Sequence, residues 1–152
     1  VLTHRAAGLP THAGQVAFAG GKIDASDASP EAAALRETFE EIGVAPNGIC
    51  VLGRLSDYTT GTGFHITPVV AVLPATTCYK PEAGEVDQVF EVPLSFLSNP
   101  ANHRQHSVIR EGVQRQWWSM PYTDPMGQEH FIWGATAGML RSLYQFLRVP
   151  QP

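Results

Sequence analysis

Two stretches of the chain carry helical periodicity. From about Pro30 to Ile42, Leu35, Phe39 and Ile42 recur at i, i+4 and i+7, with Ala32 on the same side. That spacing predicts a helix whose apolar face packs on a sheet. Ser29 fits the N-cap, Pro30 the first helical position and Glu31 the positive end of the dipole, while Gly43 supplies the stop. The second stretch, from about Gly134 to Arg148, places Met139, Leu140, Leu143, Phe146 and Leu147 on an apolar face. Between the helices, Ile49–Leu55 and Ile66–Leu73 are rich in Val, Ile and Leu and read as strands, as does Gln88–Val92. Pro93–Leu97 reads as a turn or short helix. Gln114–Met120 and His130–Ile132 predict a late hairpin around Asp124-Pro125-Met126-Gly127. Upstream, Gln15–Phe18 forms a short strand ending at Gly20-Gly21. Strands interleaved with one early and one terminal helix predict an α/β fold, a mixed sheet between helices.

Composition narrows the class. A length of 152 residues with 43% hydrophobic content suits one domain over the whole chain with one core, and argues against disorder. No run approaches the ~20 apolar residues of a membrane helix, and the first residues lack a signal-peptide pattern. The expected address is cytoplasmic, with no membrane partner. The chain opens at Val1, so a strand before it would lie outside this sequence. Cys50 and Cys78 form no CxxC pair and are expected to be buried, reduced thiols. The formal net charge of −4 provides no basic field for nucleic acid. An acidic protein acting on a phosphate substrate needs a local answer to repulsion, and a divalent cation supplies one.

The candidate chemistry lies on the first helix. Glu37, Glu40 and Glu41 project away from its apolar face within roughly 100° of arc. Arg36 sits four residues before Glu40 and can pair with it. On an open face the three acids would be a solvated surface, since like-charge neighbours there cost only a few tenths of a kcal/mol. In a cleft, each pair ~5.5 Å apart would cost on the order of 3 kcal/mol at an effective dielectric near 20. That arrangement calls for a cation, and Mg²⁺ suits the oxygen ligands. The loop before the helix favours the cleft. Gly20-Gly21 lets backbone approach a metal closely, and the Gly20 carbonyl can serve as a ligand.

Gly21 through Val44, GKIDASDASPEAAALRETFEEIGV, resembles the Nudix box, with Arg36-Glu37-Thr38-Phe39-Glu40-Glu41-Ile42-Gly43-Val44 as its diagnostic end. The resemblance implies an α/β/α sandwich and hydrolysis of a nucleoside diphosphate linked to another moiety. It implies metal binding by Glu37, Glu40 and Glu41, with Arg36 orienting a Glu. The position where the family usually has a further Glu is Ala28, next to Asp27, and the loop is one residue longer than the commonest form. Leu2 through Gly21, LTHRAAGLPTHAGQVAFAGG, is similar to the segment preceding the box in the coenzyme A diphosphatase branch. Its departures include Ala19 and Pro10, where that branch has Pro and often Arg.

The mechanism expected is metal-assisted hydrolysis with Mg²⁺ or Mn²⁺, Glu37, Glu41 and Glu85 being the catalytic carboxylates. Glu37 or Glu85 is the candidate proton acceptor, although Glu85 also reads as a solvated loop acid. Arg5, His12, Gln15 and Lys22 are candidate substrate contacts; for Arg5 the rival is a structural ion pair. His65, His103, His106 and His130 lack metal-ligand spacing and read as surface or core residues. Asp57–Phe64 is a Gly/Thr-rich loop suited to framing a cleft. The expected substrate is coenzyme A or an acyl ester, giving 3′,5′-ADP and 4′-phosphopantetheine. The alternatives are ADP-ribose or a dinucleotide as substrate, or a non-catalytic module that only binds a ligand. A homodimer is compatible with the sequence.

Overall fold

A computed structural model describes residues 1–148. The elements run β1 (Leu2–Arg5), β2 (Val16–Ala17), α1 (Pro30–Ile42), β3 (Cys50–Arg54), β4 (Tyr58–Thr59), β5 (His65–Ile66), β6 (Val69–Val72), β7 (Val86–Phe90), α2 (Leu94–Leu97), β8 (Arg104–Arg110), β9 (Val113–Thr123), β10 (Glu129–Trp133) and α3 (Gly134–Arg148). Single 3-10 turns at Pro46–Gly48 and Pro100–Asn102 join them. No helix among the described residues is long and apolar enough to cross a membrane.

The fold is an α/β sandwich. β1 lies between β2 and β7, and β9 between β10 and β8; β3 pairs β6 and β4 pairs β5, with every described ladder antiparallel. The main core joins Leu2, Val16 and Phe90 of the first sheet to Met120, Tyr122 and Ile132 of the second and to Ala137 and Leu140 of α3. The Thr136 hydroxyl donates to the Val16 carbonyl at 3.0 Å, tying the start of α3 to β2. A second cluster, Ile42, Val44 and Val86, seats the end of α1 beside β7.

Both long helices span the residues their periodicity predicts. Ser29 accepts from the Ala32 N–H at 3.2 Å, and Gly43 closes α1 in the left-handed region at φ 71. The late hairpin forms around Asp124, whose carboxylate accepts from the N–H groups of Met126 and Gln128. β1 and β8 escape the periodicity reading. Arg104–Arg110 is mostly polar and owes its strand to a complete ladder with the long β9. The predicted strand Ile66–Leu73 is broken at Thr67-Pro68 into β5, which pairs β4, and β6, which pairs β3.

Three burial expectations are corrected. Phe39 is 54% exposed although Ile42 of the same predicted face is buried, and Ala33 and Glu41, on the nearly opposite side of the wheel, are buried as well. α1 is therefore covered on two sides, and Phe39 falls outside both. Phe146 and Leu147 are exposed, because Tyr144 rather than they turns α3 onto the body of the fold. Cys50 and Cys78 are free but exposed, Cys50 on an outward position of β3 and Cys78 in the loop before β7.

Candidate active site

One covered side of α1 carries acids where a helix ordinarily carries apolar side chains. Ala33 is 3% exposed and Glu41 5%, and between them the Glu37 side chain is 15% exposed. Spacing of i, i+4 and i+8 lines them along one edge. The Gly20-Gly21 loop covers this edge. The Gly20 N–H donates to Glu41 Oε2 at 3.2 Å. At Gly21 a Cβ would stand 2.3 Å from Glu37 Oε1, so only glycine lets the backbone sit against that carboxylate. Glu37 and Glu41 therefore converge on one short piece of main chain. Main-chain bonds clamp the far end of the helix: Lys80 N–H donates to the Ile42 carbonyl at 2.8 Å and Glu82 N–H to the Glu41 carbonyl at 2.9 Å.

Arg36 organises the other side of the acid cluster. Its Nη1 donates to Glu37 Oε1 at 2.9 Å and to Glu40 Oε2 at 3.2 Å. Its Nε and Nη2 form a fork on Asp27 at 3.1 and 2.9 Å, and Nη2 also reaches the Lys22 carbonyl. The guanidinium pulls the Asp27 carboxyl below its usual range, and Asp27 and Glu37 in turn hold the Arg36 pKa above its ordinary value. Asp27 is a site residue that the periodicity and box reading did not assign. Its signal was the longer loop, which supplies a carboxylate beside Ala28.

Glu41 is the strained charge of the site. Burial pushes its carboxyl up to about 7; the Gly20 N–H and the Arg5 charge oppose this, and the charges of Glu37 and Glu85 reinforce it. Glu37, Glu41 and Glu85 thus share one electrostatic field, with Arg5 inside it. β1 delivers Arg5: its N–H donates to the Gln15 carbonyl, while the Ala6 N–H donates to the Glu85 carbonyl at 2.8 Å. Arg5 Nε is buried and makes no hydrogen bond.

The remaining candidates are more dispersed. Glu85 is exposed. His12 lies in the loop between β1 and β2 at φ 56, paired through Nδ1 with Gln15 Oε1 at 3.1 Å. Lys22 is exposed, and its carbonyl is what engages Arg36. Glu40 is exposed, at the outer edge of the cluster. Among the described residues no three His, Cys, Asp or Glu side chains are already gathered as a metal cluster. The donor set nevertheless fits a hard divalent cation: carboxylate oxygens, a glycine cradle a Cβ would fill, and a buried carboxyl that lacks a full counter-charge.

A family model described as the NUDIX domain matches residues 1–112, and the chain belongs to that family. It is a Nudix hydrolase, of a family that cuts diphosphate bonds in nucleoside diphosphate derivatives with the help of divalent metal ions. The chain is 42% identical over 143 residues to a Citrobacter koseri protein named Uncharacterized Nudix hydrolase NudL, a match covering 94% of this chain and 72% of the relative. A protein of that name in Cronobacter sakazakii is also 42% identical over the same shares, and one in Escherichia coli K12 is 39% identical.

Proposed function

We propose that the chain hydrolyses the diphosphate bond of coenzyme A or its acyl esters, releasing 3′,5′-ADP and 4′-phosphopantetheine or its acylated form. The observation that carries this reading is Arg5, a guanidinium with a buried, unpartnered Nε set beside the acid cluster. An acceptor there would relieve a buried donor, and a phosphate oxygen is the acceptor this substrate brings. The similarity of Leu2–Gly21 to the coenzyme A diphosphatase branch supports the same assignment.

Glu37, Glu41 and Glu40, with the Gly20 carbonyl, would hold Mg²⁺ or Mn²⁺. When bound, a divalent ion would supply charge neutralisation for the diphosphate and lower the pKa of a water. Arg36 and Asp27 hold the Glu37 carboxylate in place, and the Gly20 N–H holds that of Glu41. Glu85, exposed and within the field of Glu41, accepts the proton from the attacking water, with Glu37 as the other candidate. Arg5 would contact a phosphate of the substrate; His12, Gln15 and Lys22 are the further candidate substrate contacts.

The test is a phosphatase-coupled assay of Mg²⁺- and Mn²⁺-dependent turnover on coenzyme A, dephospho-coenzyme A, ADP-ribose and a dinucleotide. Coenzyme A is expected to show the highest kcat/KM. Arg5→Ala is expected to raise KM more for coenzyme A than for the dephospho form, by about tenfold or more for a charge-assisted contact. Preference for ADP-ribose or a dinucleotide would replace the coenzyme A assignment. Absence of turnover on the whole panel would favour a binding module.

A further inference from the structure

A groove lies between the C-terminal half of α3 and the turn that follows α2. Pro100, Arg141, Tyr144, Gln145 and Arg148 line about 560 Å³ of it, and an adjoining hollow of about 430 Å³ adds Ser98 and Leu147. The groove is shallow and open to solvent. None of these lining residues is acidic, in a chain whose net charge is −4. Glu37, Glu41, Glu85 and Arg5 contribute nothing to the lining.

Two guanidiniums are held ready there. Arg141 lies over the Trp118 ring at 3.8 Å, and its Nη1 donates to His103 Nδ1 at 3.2 Å. His103 Nε2 sits 2.7 Å from the Leu97 carbonyl, which requires its proton on that nitrogen and leaves Nδ1 as an acceptor. Arg148 Nη1 donates to the Tyr144 hydroxyl at 2.6 Å, and the Tyr144 and His103 rings meet edge-on at 4.8 Å. Both arginines are thus anchored to one aromatic pair, by neutral acceptors. Arg36 and Arg54 have carboxylate partners; among the described residues, Arg141 and Arg148 have none within ion-pair distance. A guanidinium carries five N–H donors. Each of these commits only Nη1 to a described side-chain bond, so donors and charge remain for a ligand. Stacking and hydrogen bonding have already met much of the ordering cost.

We propose that this groove is a second anion site, separate from the acid cluster, which binds a small phosphate-bearing molecule through Arg141 and Arg148. A dianionic phosphate or a diphosphate suits a groove lined by two guanidiniums better than a single carboxylate, which one fork would saturate.

The probe is inorganic pyrophosphate, titrated into the metal-free protein with EDTA at low and constant ionic strength. The Trp118 indole and His103 ring resonances report binding without any need for turnover. A saturable shift of both is expected, with affinity weakened at least about tenfold in the Arg141→Gln/Arg148→Gln double variant. Arg141→Lys, which keeps the charge over Trp118, is expected to retain the shift. Arg5→Ala is expected to leave it unchanged, which separates this site from the one proposed for coenzyme A. Three results would overturn the proposal: no saturation, equal affinity in the folded double variant, or loss of the shift in Arg5→Ala. Resonances that move with protein concentration instead of pyrophosphate would also overturn it, by assigning the face to self-association.

Discussion

Gly21→Ala tests the site with little cost to the fold. The Gly21 backbone lies outside the left-handed region, so alanine is conformationally permitted. Its Cβ would stand 2.3 Å from Glu37 Oε1, 2.5 Å from Cδ and 2.8 Å from Oε2, whereas ordinary contact begins at 3.4 Å. The carboxylate must therefore retreat by roughly 1 Å to restore van der Waals separation. The obstacle is the end of a flexible side chain, so the helix and loop stay where they are. The move breaks the 2.9 Å bond from Arg36. A metal–oxygen bond near ~2.1 Å tolerates displacement of only ~0.2 Å. Stability should change by less than about 1 kcal/mol, since alanine also lowers the entropy of the unfolded chain. By contrast, kcat should fall about 100-fold, the usual result of an ångström of misplacement. Thermal melts and Mg²⁺ titrations of turnover measure the two effects separately. Gly84→Ala, where an added Cβ meets open space, is the matched control. A folded Gly21→Ala enzyme with normal kcat and normal metal requirement would refute the assignment of Glu37 as a metal ligand.

Asp27→Ala leaves Arg36 without its fork partner and should weaken Mn²⁺ binding, measured by calorimetry, roughly 10–100-fold as outer partners of metal ligands do; unchanged affinity would make Asp27 purely structural. In EDTA, Glu41 titrates near 7 in the folded chain against an ordinary 4.5, so its share of stability is full below about pH 4.5 and is lost as pH rises through 7. Melts of Glu41→Gln across that range should lack this downward slope while turnover is abolished. His4 behaves in the opposite sense. Its pKa is lowered by burial first and then by the charge of His130, with Gly14 and Asp87 opposing, so the unfolded chain takes the proton more readily and stability falls as pH drops below about 6.5. His4→Gln should flatten that limb of the pH–stability curve. Gly138→Ala would place a Cβ 2.4 Å from the Tyr58 hydroxyl and 2.5 Å from its ring. That overpacking should cost about 1–3 kcal/mol in urea unfolding, and wild-type stability would show that the Tyr58 loop yields freely.

The amino-acid order alone determined what depends on near neighbours. The helices at Pro30–Ile42 and Gly134–Arg148, the Ser29 cap, the Gly43 stop and the Arg36–Glu40 pair all follow from contacts within about four residues, which side-chain spacing encodes directly. So did the concentration of candidate acids on one helix. Tertiary structure decided which of them face inward. The wheel separates an apolar face from an acidic one, but only the loop folded across α1 puts Glu37 and Glu41 under Gly20-Gly21 while Phe39 and Glu40 meet water. The polar strand β8 likewise exists because β9 offers a ladder, not because its own residues alternate. Arg5 and Glu85 stand 80 positions apart along the chain and enter the field of Glu41 only through the β1–β7 pairing. The raised carboxyl of Glu41 is the sharpest case, since desolvation depends on everything packed round a group and no local spacing records it.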